Sequence, residues 1–304
     1  MVKVKQLLAA LAATAAVLAL AAAPAAAVRF GAPDTADAYP WVGYVVSFDA
    51  DGQPLGACSG SLLSDELFLT AAHCVSNPFA GPDHQPAEVR IWFTNKEIKF
   101  DPQFIANIQE LIAHPDADVQ LCAGVTGAPC GGYDAVGEPR AHPNWGTSAF
   151  PQTSDVGIAT NLVWTGEPPS TFGKLAPAGF LDELSYARGK GNVEFTVAGF
   201  GLQSLRPVVS DITQRMIGTV SLVNLRSRIS GGWNLQLSGN PGQGHGGSGG
   251  TCFGDSGGPV IYDDAQLGQV IVAVNSFGMN HNCQGPSFAY RVDTRYAQDF
   301  IPTG

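Results

Sequence analysis

Charge is scarce in this chain, and positive charge is scarcest. Only 14% of the 304 residues are Asp, Glu, Lys or Arg, with 16 basic residues against 26 acidic ones and a formal net charge of −10. The basic residues form no cluster. Phosphate binding needs concentrated Lys and Arg, so nucleic acid is excluded as a partner, while the acidic balance itself speaks only for solubility. There is no Cys-x-x-Cys pair and no His-Glu-x-x-His run, so no metal is expected. Asp49-Ala50-Asp51-Gly52 opens like a calcium loop but lacks the later acidic ligands, and it reads as a hairpin turn. No Asn-x-Ser/Thr glycan acceptor and no internal repeat occur. After the first 27 residues, no segment is long and apolar enough to cross a bilayer.

What is abundant is glycine (37), proline (21) and apolar residues (45%), a globular composition rich in turns. Lys3 and Lys5 precede an Ala- and Leu-rich run that ends in Ala25-Ala26-Ala27. This order reads as a cleaved secretory signal over residues 1–27 rather than a membrane anchor, because the run is short and small residues follow it directly. The exported chain would begin at Val28 and have no membrane contact. All six cysteines, Cys58, Cys74, Cys122, Cys130, Cys252 and Cys283, lie in that exported part. Their even number in an oxidising compartment predicts three disulfides, and spacing alone leaves their pairing open.

Short runs of Val, Ile, Phe and Tyr recur between turn residues, at 41–48, 67–70, 89–93, 155–159, 193–198, 216–222, 260–261, 270–274 and 287–292. Each has strand length, so the chain reads as all-β, a sandwich or barrel. A surface helix is expected only over 294–301, with Asp293 or Thr294 as N-cap. Residues 115–153 are rich in Gly and Pro and read as a long surface excursion carrying Cys122 and Cys130. Residues 238–250 are glycine-rich, which suits a flexible linker or, this close to Asp255-Ser256, a loop facing the substrate, and 168–181, with three prolines, are expected to connect two halves.

The chemistry concentrates in three places. In Gly254-Asp255-Ser256-Gly257-Gly258-Pro259, flanking glycines let the backbone turn tightly and expose the Ser256 hydroxyl, a nucleophile once a base takes its proton. Leu69-Thr70-Ala71-Ala72-His73-Cys74 offers that base in His73, which titrates near neutrality. Ser154-Asp155-Val156-Gly157-Ile158 offers in Asp155 the carboxylate that fixes the tautomer of the imidazole.

These three motifs, in the order His, Asp, Ser, resemble the trypsin-like serine peptidases. The similarity extends from Tyr39-Pro40-Trp41 through Cys58-Ser59-Gly60-Ser61-Leu62-Leu63 to Phe288-Ala289-Tyr290-Arg291-Val292. The resemblance implies an all-β fold of two six-stranded antiparallel β-barrels, over 28–165 and 166–304, with the active site between them and a closing C-terminal helix. It implies a secreted endopeptidase, working as a monomer on polypeptide substrates without a cofactor. The N–H groups of Gly254 and Ser256 would form the oxyanion hole. Ser276 would hydrogen-bond Asp155, Phe277 would stand where the family carries Trp, and Gly278 would pair with the substrate backbone. The primary pocket maps to Gly250 at its base and to Gly278 and Ser287 on its walls. With no carboxylate there, an uncharged apolar or aromatic side chain is expected rather than Lys or Arg.

The same resemblance pairs Cys58 with Cys74 and Cys252 with Cys283, leaving Cys122 to Cys130. The 82 positions from His73 to Asp155 exceed the usual family spacing, so the loop with the third pair reads as decoration. In the family a freshly cut N-terminus pairs with the Asp before the nucleophile. Here that maps Val28 onto Asp255, so signal cleavage itself would free the activating terminus, with Phe30 as the other possible start. The alternative is a catalytically silent binding module on the same fold, but such relatives usually lack a member of the triad. An esterase of another fold would require Gly-x-Ser-x-Gly between strand and helix, a context absent here.

Overall fold

The computed structural model describes residues 28, 31–76, 85–186, 193–202, 213–238 and 249–302. The expected signal (1–27), the alternative start at Phe30 and most of the glycine-rich loop lie outside these residues.

The apolar runs become strands because their alternating side chains can fill a closed barrel from all sides. A short first strand, β1 (Ala32–Pro33), precedes the first barrel. That barrel is built from β2 (Val42–Phe48), β3 (Pro54–Ser64), β4 (Leu67–Thr70), β5 (Glu88–Trp92), β6 (Ala135–Ala141) and β7 (Gly157–Trp164). It closes in the order β2-β3-β4-β7-β6-β5, antiparallel throughout. The second barrel comprises β8 (Glu194–Gly199), β9 (Met216–Asn224), β10 (Asn234–Leu237), β11 (Pro259–Asp264), β12 (Gly268–Gly278) and β13 (Ser287–Arg291). It runs β9-β10-β13-β12-β11-β8 and closes through β8 on β9. β1 adds to its β9 edge, so residues 32–33, grouped by sequence with the first half, belong physically to the second.

One apolar core fills the first barrel with Phe48, Leu62, Phe68, Leu69, Ile91 and Ile158, and continues across the interface to Ala198, Ile271 and Val274. A second core fills the other barrel around Phe195, Val220, Leu235 and Val272. Each fully buried side chain of this kind contributes about 1.5–3 kcal/mol. The continuity of the first core holds the two barrels as one body across the cleft.

Helices are more numerous than the sequence reading allowed. A single turn, α1 (Ala72–Val75), carries His73. α2 (Pro102–Ala113) lies between β5 and β6, just ahead of the 115–153 excursion; the Asp101 carboxylate accepts from the Gln103 N–H, and Pro102 stands in the first turn. α3 (Phe180–Tyr186) lies in the connection between barrels. α2 and α3 both correct the expectation of one terminal helix: for α2, Asp101-Pro102 is an N-terminal helix signal, and apolar residues at 104, 105, 108, 111 and 112 fit helical spacing. The terminal helix α4 (Arg295–Gln298) is shorter than expected, with the Thr294 hydroxyl accepting from the N–H of Ala297. It closes the second half against the first, the Tyr296 ring stacking on His142 with centroids 4.6 Å apart. Among the described residues no helix is long and apolar enough to cross a membrane.

Asp49 accepts from the N–H groups of Asp51 and Gln53, and so holds the β2–β3 hairpin turn. The disulfides join Cys58 to Cys74, Cys122 to Cys130 and Cys252 to Cys283.

Candidate active site

Between the barrels lies a cleft of about 770 Å³, bordered by His73, Ser256, Gly254, Cys252, Asn275, Ser276, Phe277 and Gly278 among others. His73 comes to it from the first barrel, on the turn that follows β4, and Asp155 comes from the residue pair before β7. β4 and β7 are neighbours in the sheet, with Thr70 opposite Gly157. The chain between them, which sets them 82 positions apart, is therefore looped out, and the two side chains meet where the paired strands begin and end.

The imidazole Nδ1 lies 2.9 Å from Asp155 Oδ2 and 3.1 Å from Oδ1, and the His73 backbone N–H donates to Oδ1 at 3.0 Å. From the second barrel the Ser276 hydroxyl donates to Oδ2 at 2.5 Å. Asp155 is 2% exposed. Burial alone would raise its pKa, but the His73 charge and these hydrogen bonds outweigh it, and the pKa is lowered. Burial likewise opposes the charged imidazole, yet the charge and hydrogen bond of Asp155 prevail and raise the His73 pKa. The pair thus favours an ionised carboxylate beside an imidazole ready to hold a proton. Trp145, which the sequence reading overlooked, borders the same cleft with its ring 6.2 Å from that of His73.

The second barrel supplies the Ser256 turn. Gly254 has φ +95°, and a Cβ there would lie 2.8 Å from the Gly201 Cα. At Gly257, φ is +77° and a Cβ would lie 2.0 Å from Thr70 Oγ1. Only glycine permits this conformation and this approach of the barrels. Ser59 ties the turn to the first barrel: its N–H donates to Ser256 O at 2.8 Å and its hydroxyl to Gly254 O at 2.8 Å. Because Cys58 is bonded to Cys74, the disulfide beside His73 and the Ser256 turn are parts of one framework. Among the described residues, the N–H groups of Gly254 and Ser256 donate to no other group, while those of Asp255, Gly257 and Gly258 are engaged. The Ser256 hydroxyl and His73 share the cleft without a hydrogen bond between them among the described contacts. Such bonds commonly tighten only in the complex with substrate.

Asp255 points away from the cleft and is fully buried. Its carboxylate accepts from the N–H groups of Gly201 and Cys252, both at 2.9 Å, and from that of Val28. Burial pushes its pKa up to about 7, with these three N–H groups opposing the rise. Val28 is itself buried.

Of the expected pocket residues, Gly278 borders the cleft and is exposed. Gly250 is buried beside Thr251, which also borders the cleft, and Ser287 is buried opposite Gly278 on the β12–β13 ladder. The Phe277 ring stacks on Phe288 with centroids 4.7 Å apart. No residue from 93 to 133 borders the cleft, so α2 and the Cys122–Cys130 loop stand apart from it. Cys58, His73 and Cys74 bring ligand-type atoms within 4.8 Å of one another, but both sulfurs are disulfide-bonded and present no thiolate to a cation.

A family model described as Trypsin matches residues 29–121 and 169–301. The unmatched interval between them includes Asp155, whose contact with His73 is known here from the structure itself. Among solved structures, one titled HL collagenase at 1.7 Å resolution aligns with a TM-score of 0.56 at 17% identity, covering 86% of this chain and 93% of that one. This likeness speaks for the fold. No curated protein matches. Since the matched residues take in most of both barrels and well over half of the sequence, the chain belongs to the trypsin family of serine peptidases.

Proposed function

We propose that this protein is a secreted serine endopeptidase in which Ser256 is the nucleophile, His73 the general base and acid, and Asp155 the group that orients the imidazole. The observation that carries the reading is the buried Asp155 carboxylate on His73 Nδ1, which leaves Nε2 for the Ser256 proton. Ser256 Oγ attacks the peptide carbonyl while its proton passes to Nε2. His73 then returns that proton to the departing amine, leaving an ester on Ser256. Water attacks the ester, giving its proton to His73, and the acid product leaves as Ser256 regains a proton. The N–H groups of Gly254 and Ser256, which donate to no group among the described residues, meet the negative oxygen that develops at each attack.

Three disulfides suit an exported protein, and polypeptides taken up by a monomer are the expected substrates. The contact of Val28 with Asp255 supports an activating terminus at Val28. A freed ammonium there would give the buried carboxyl, otherwise pushed up to about 7, a charge to pair with.

The test is labelling of the purified protein by an organophosphonate, together with casein cleavage. Both are expected in the wild type, and both are lost in Ser256→Ala. Labelling without hydrolysis of any peptide would favour the silent or very narrowly specific binding module. N-terminal sequencing of active material should begin at Val28, and a start well beyond Phe30 would reject the activation reading.

A further inference from the structure

The chain enters Asp155 through Ser154, and the backbone there is unusual. Ser154 is fully buried and has φ +53°, in the left-handed region that few residues other than Gly, Asn and Asp adopt. The Val156 N–H donates to Ser154 O at 2.9 Å, so the main chain turns tightly about Asp155, and the His142 N–H donates to Val156 O at 2.9 Å. This turn sets the direction in which the Asp155 side chain leaves the backbone. A residue other than glycine stays in that region only where its surroundings hold it there.

Part of what holds it comes from the C-terminal helix. The Ser154 hydroxyl lies 3.1 Å from the Tyr296 hydroxyl on α4 and 2.7 Å from that of Ser148. Asn144 Nδ2 donates to the Tyr296 hydroxyl at 2.6 Å, which leaves the phenolic proton for Ser154 and the Ser154 proton for Ser148. The Tyr296 ring is fixed on both sides, stacked on His142 and edge-on to Trp233 with centroids 5.4 Å apart. Asn144, Ser148 and Ser154 belong to one loop before β7, so Tyr296 is the member of this hydrogen-bonded chain that reaches it from the other half of the molecule.

We propose that Tyr296 is a positioning residue for catalysis: its hydroxyl, bonded to Ser154, holds the left-handed turn that aims the Asp155 carboxylate at His73 Nδ1. Among the described contacts the Tyr296 hydroxyl reaches neither His73 nor that carboxylate, so it acts through Ser154. The carboxylate thus answers to the second half of the molecule twice, directly through the Ser276 hydroxyl and indirectly through Tyr296. Without the phenolic hydroxyl, Ser154 keeps only Ser148, a residue of its own loop, and the turn relaxes toward negative φ. The carboxylate then swings relative to the imidazole and fixes its tautomer less firmly. A weaker carboxylate contact also lets the His73 pKa fall.

This inference rests on the peptidase reading, and its test separates the two. Purified wild type, Tyr296→Phe, Ser154→Ala and the double variant are titrated with an organophosphonate to count competent Ser256. Then kcat, KM and the pH profile of kcat/KM are measured on one peptide that the wild type cleaves. Tyr296→Phe is expected to lower kcat per labelled site about three- to tenfold with KM unchanged, and to move the acid limb to lower pH, as Asp155→Asn does. Ser154→Ala should do the same, and the double variant should lose no more than Ser154→Ala alone, since Tyr296 acts through that hydroxyl. A merely structural Tyr296 would lower the melting temperature without moving kcat or the acid limb, and that result overturns the inference. So does a Tyr296→Phe loss that persists undiminished in the Ser154→Ala background. Should either single variant fail to fold, the kcat and acid limb of the other decide alone. Absence of labelling and cleavage in the wild type would overturn the peptidase reading itself, whereas an active wild type with an unaltered Tyr296→Phe overturns this inference only.

Discussion

The two sides of the cleft are finished to different degrees. On the first-barrel side the carboxylate of Asp155 is surrounded by hydrogen bonds from the His73 ring, the His73 main chain and the Ser276 hydroxyl. On the second-barrel side the N–H groups of Gly254 and Ser256 have no partner among the described residues. The difference separates two kinds of work. One side holds a charge and a tautomer permanently, and must be complete before any substrate arrives. The other side is completed by the substrate, so its donors are kept in place by the backbone but left open.

The strongest way to break this contrast is to damage the finished side. Ser256→Ala sets the floor, with a loss of about 10⁶ in kcat. Asp155→Asn should lower kcat by about 10⁴ by presenting the wrong tautomer. A loss under tenfold, measured on a fluorogenic peptide, would show that the Asp155 contact is ornamental.

On the open side, Gly254→Ala should lower kcat by about 10² to 10³, because one oxyanion donor turns away while ground-state binding persists. Its φ of +95° and the nearby Gly201 backbone leave the new methyl no room. A matching rise in KM would contradict the assignment.

The pH profile sharpens the contrast further. The His73 pKa is raised by Asp155 above its ordinary 6.5, and only the neutral imidazole can accept the Ser256 proton. The rate should therefore fall as pH drops through a value above 6.5, and Asp155→Asn should move that acid limb to lower pH. Ser276→Ala removes a charge-assisted hydrogen bond from a buried carboxylate and should cost about tenfold in kcat/KM.

The smallest effect belongs outside the cleft. Replacing Cys122 and Cys130 with Ser opens a crosslink between residues 8 positions apart. This should cost about 2 to 3 kcal/mol of stability at most, read by denaturant unfolding, with activity within about twofold of wild type. A large loss of activity would reconnect the excursion to the site.

Legibility in the sequence followed how local each signal was. The runs at 67–70, 216–222 and 270–274 were visible as strands because their Val, Ile and Phe residues suit a pleated, buried surface anywhere. β6 was not, since Ala-Val-Gly-Glu-Pro-Arg-Ala has weak strand preference and becomes a strand only between β5 and β7. β3 and β10 were missed too: Gly and Ser dilute the apolar signal of the first, and the second has only four residues. α2 is legible in Asp101-Pro102 and its apolar spacing, although the glycines and prolines that follow it carry a stronger loop signal.

By itself the sequence determined the three reactive side chains and their chemistry, because a glycine-flanked serine and a histidine beside cysteine are local features. Only the tertiary structure decided that His73 and Asp155 touch across 82 residues, since that depends on β4 pairing with β7 rather than on anything near either residue. It alone decided, too, that the Tyr296 hydroxyl bonds that of Ser154, 142 positions away. Whether a polar group is satisfied depends on every element that packs around it, and no stretch of sequence contains all of them.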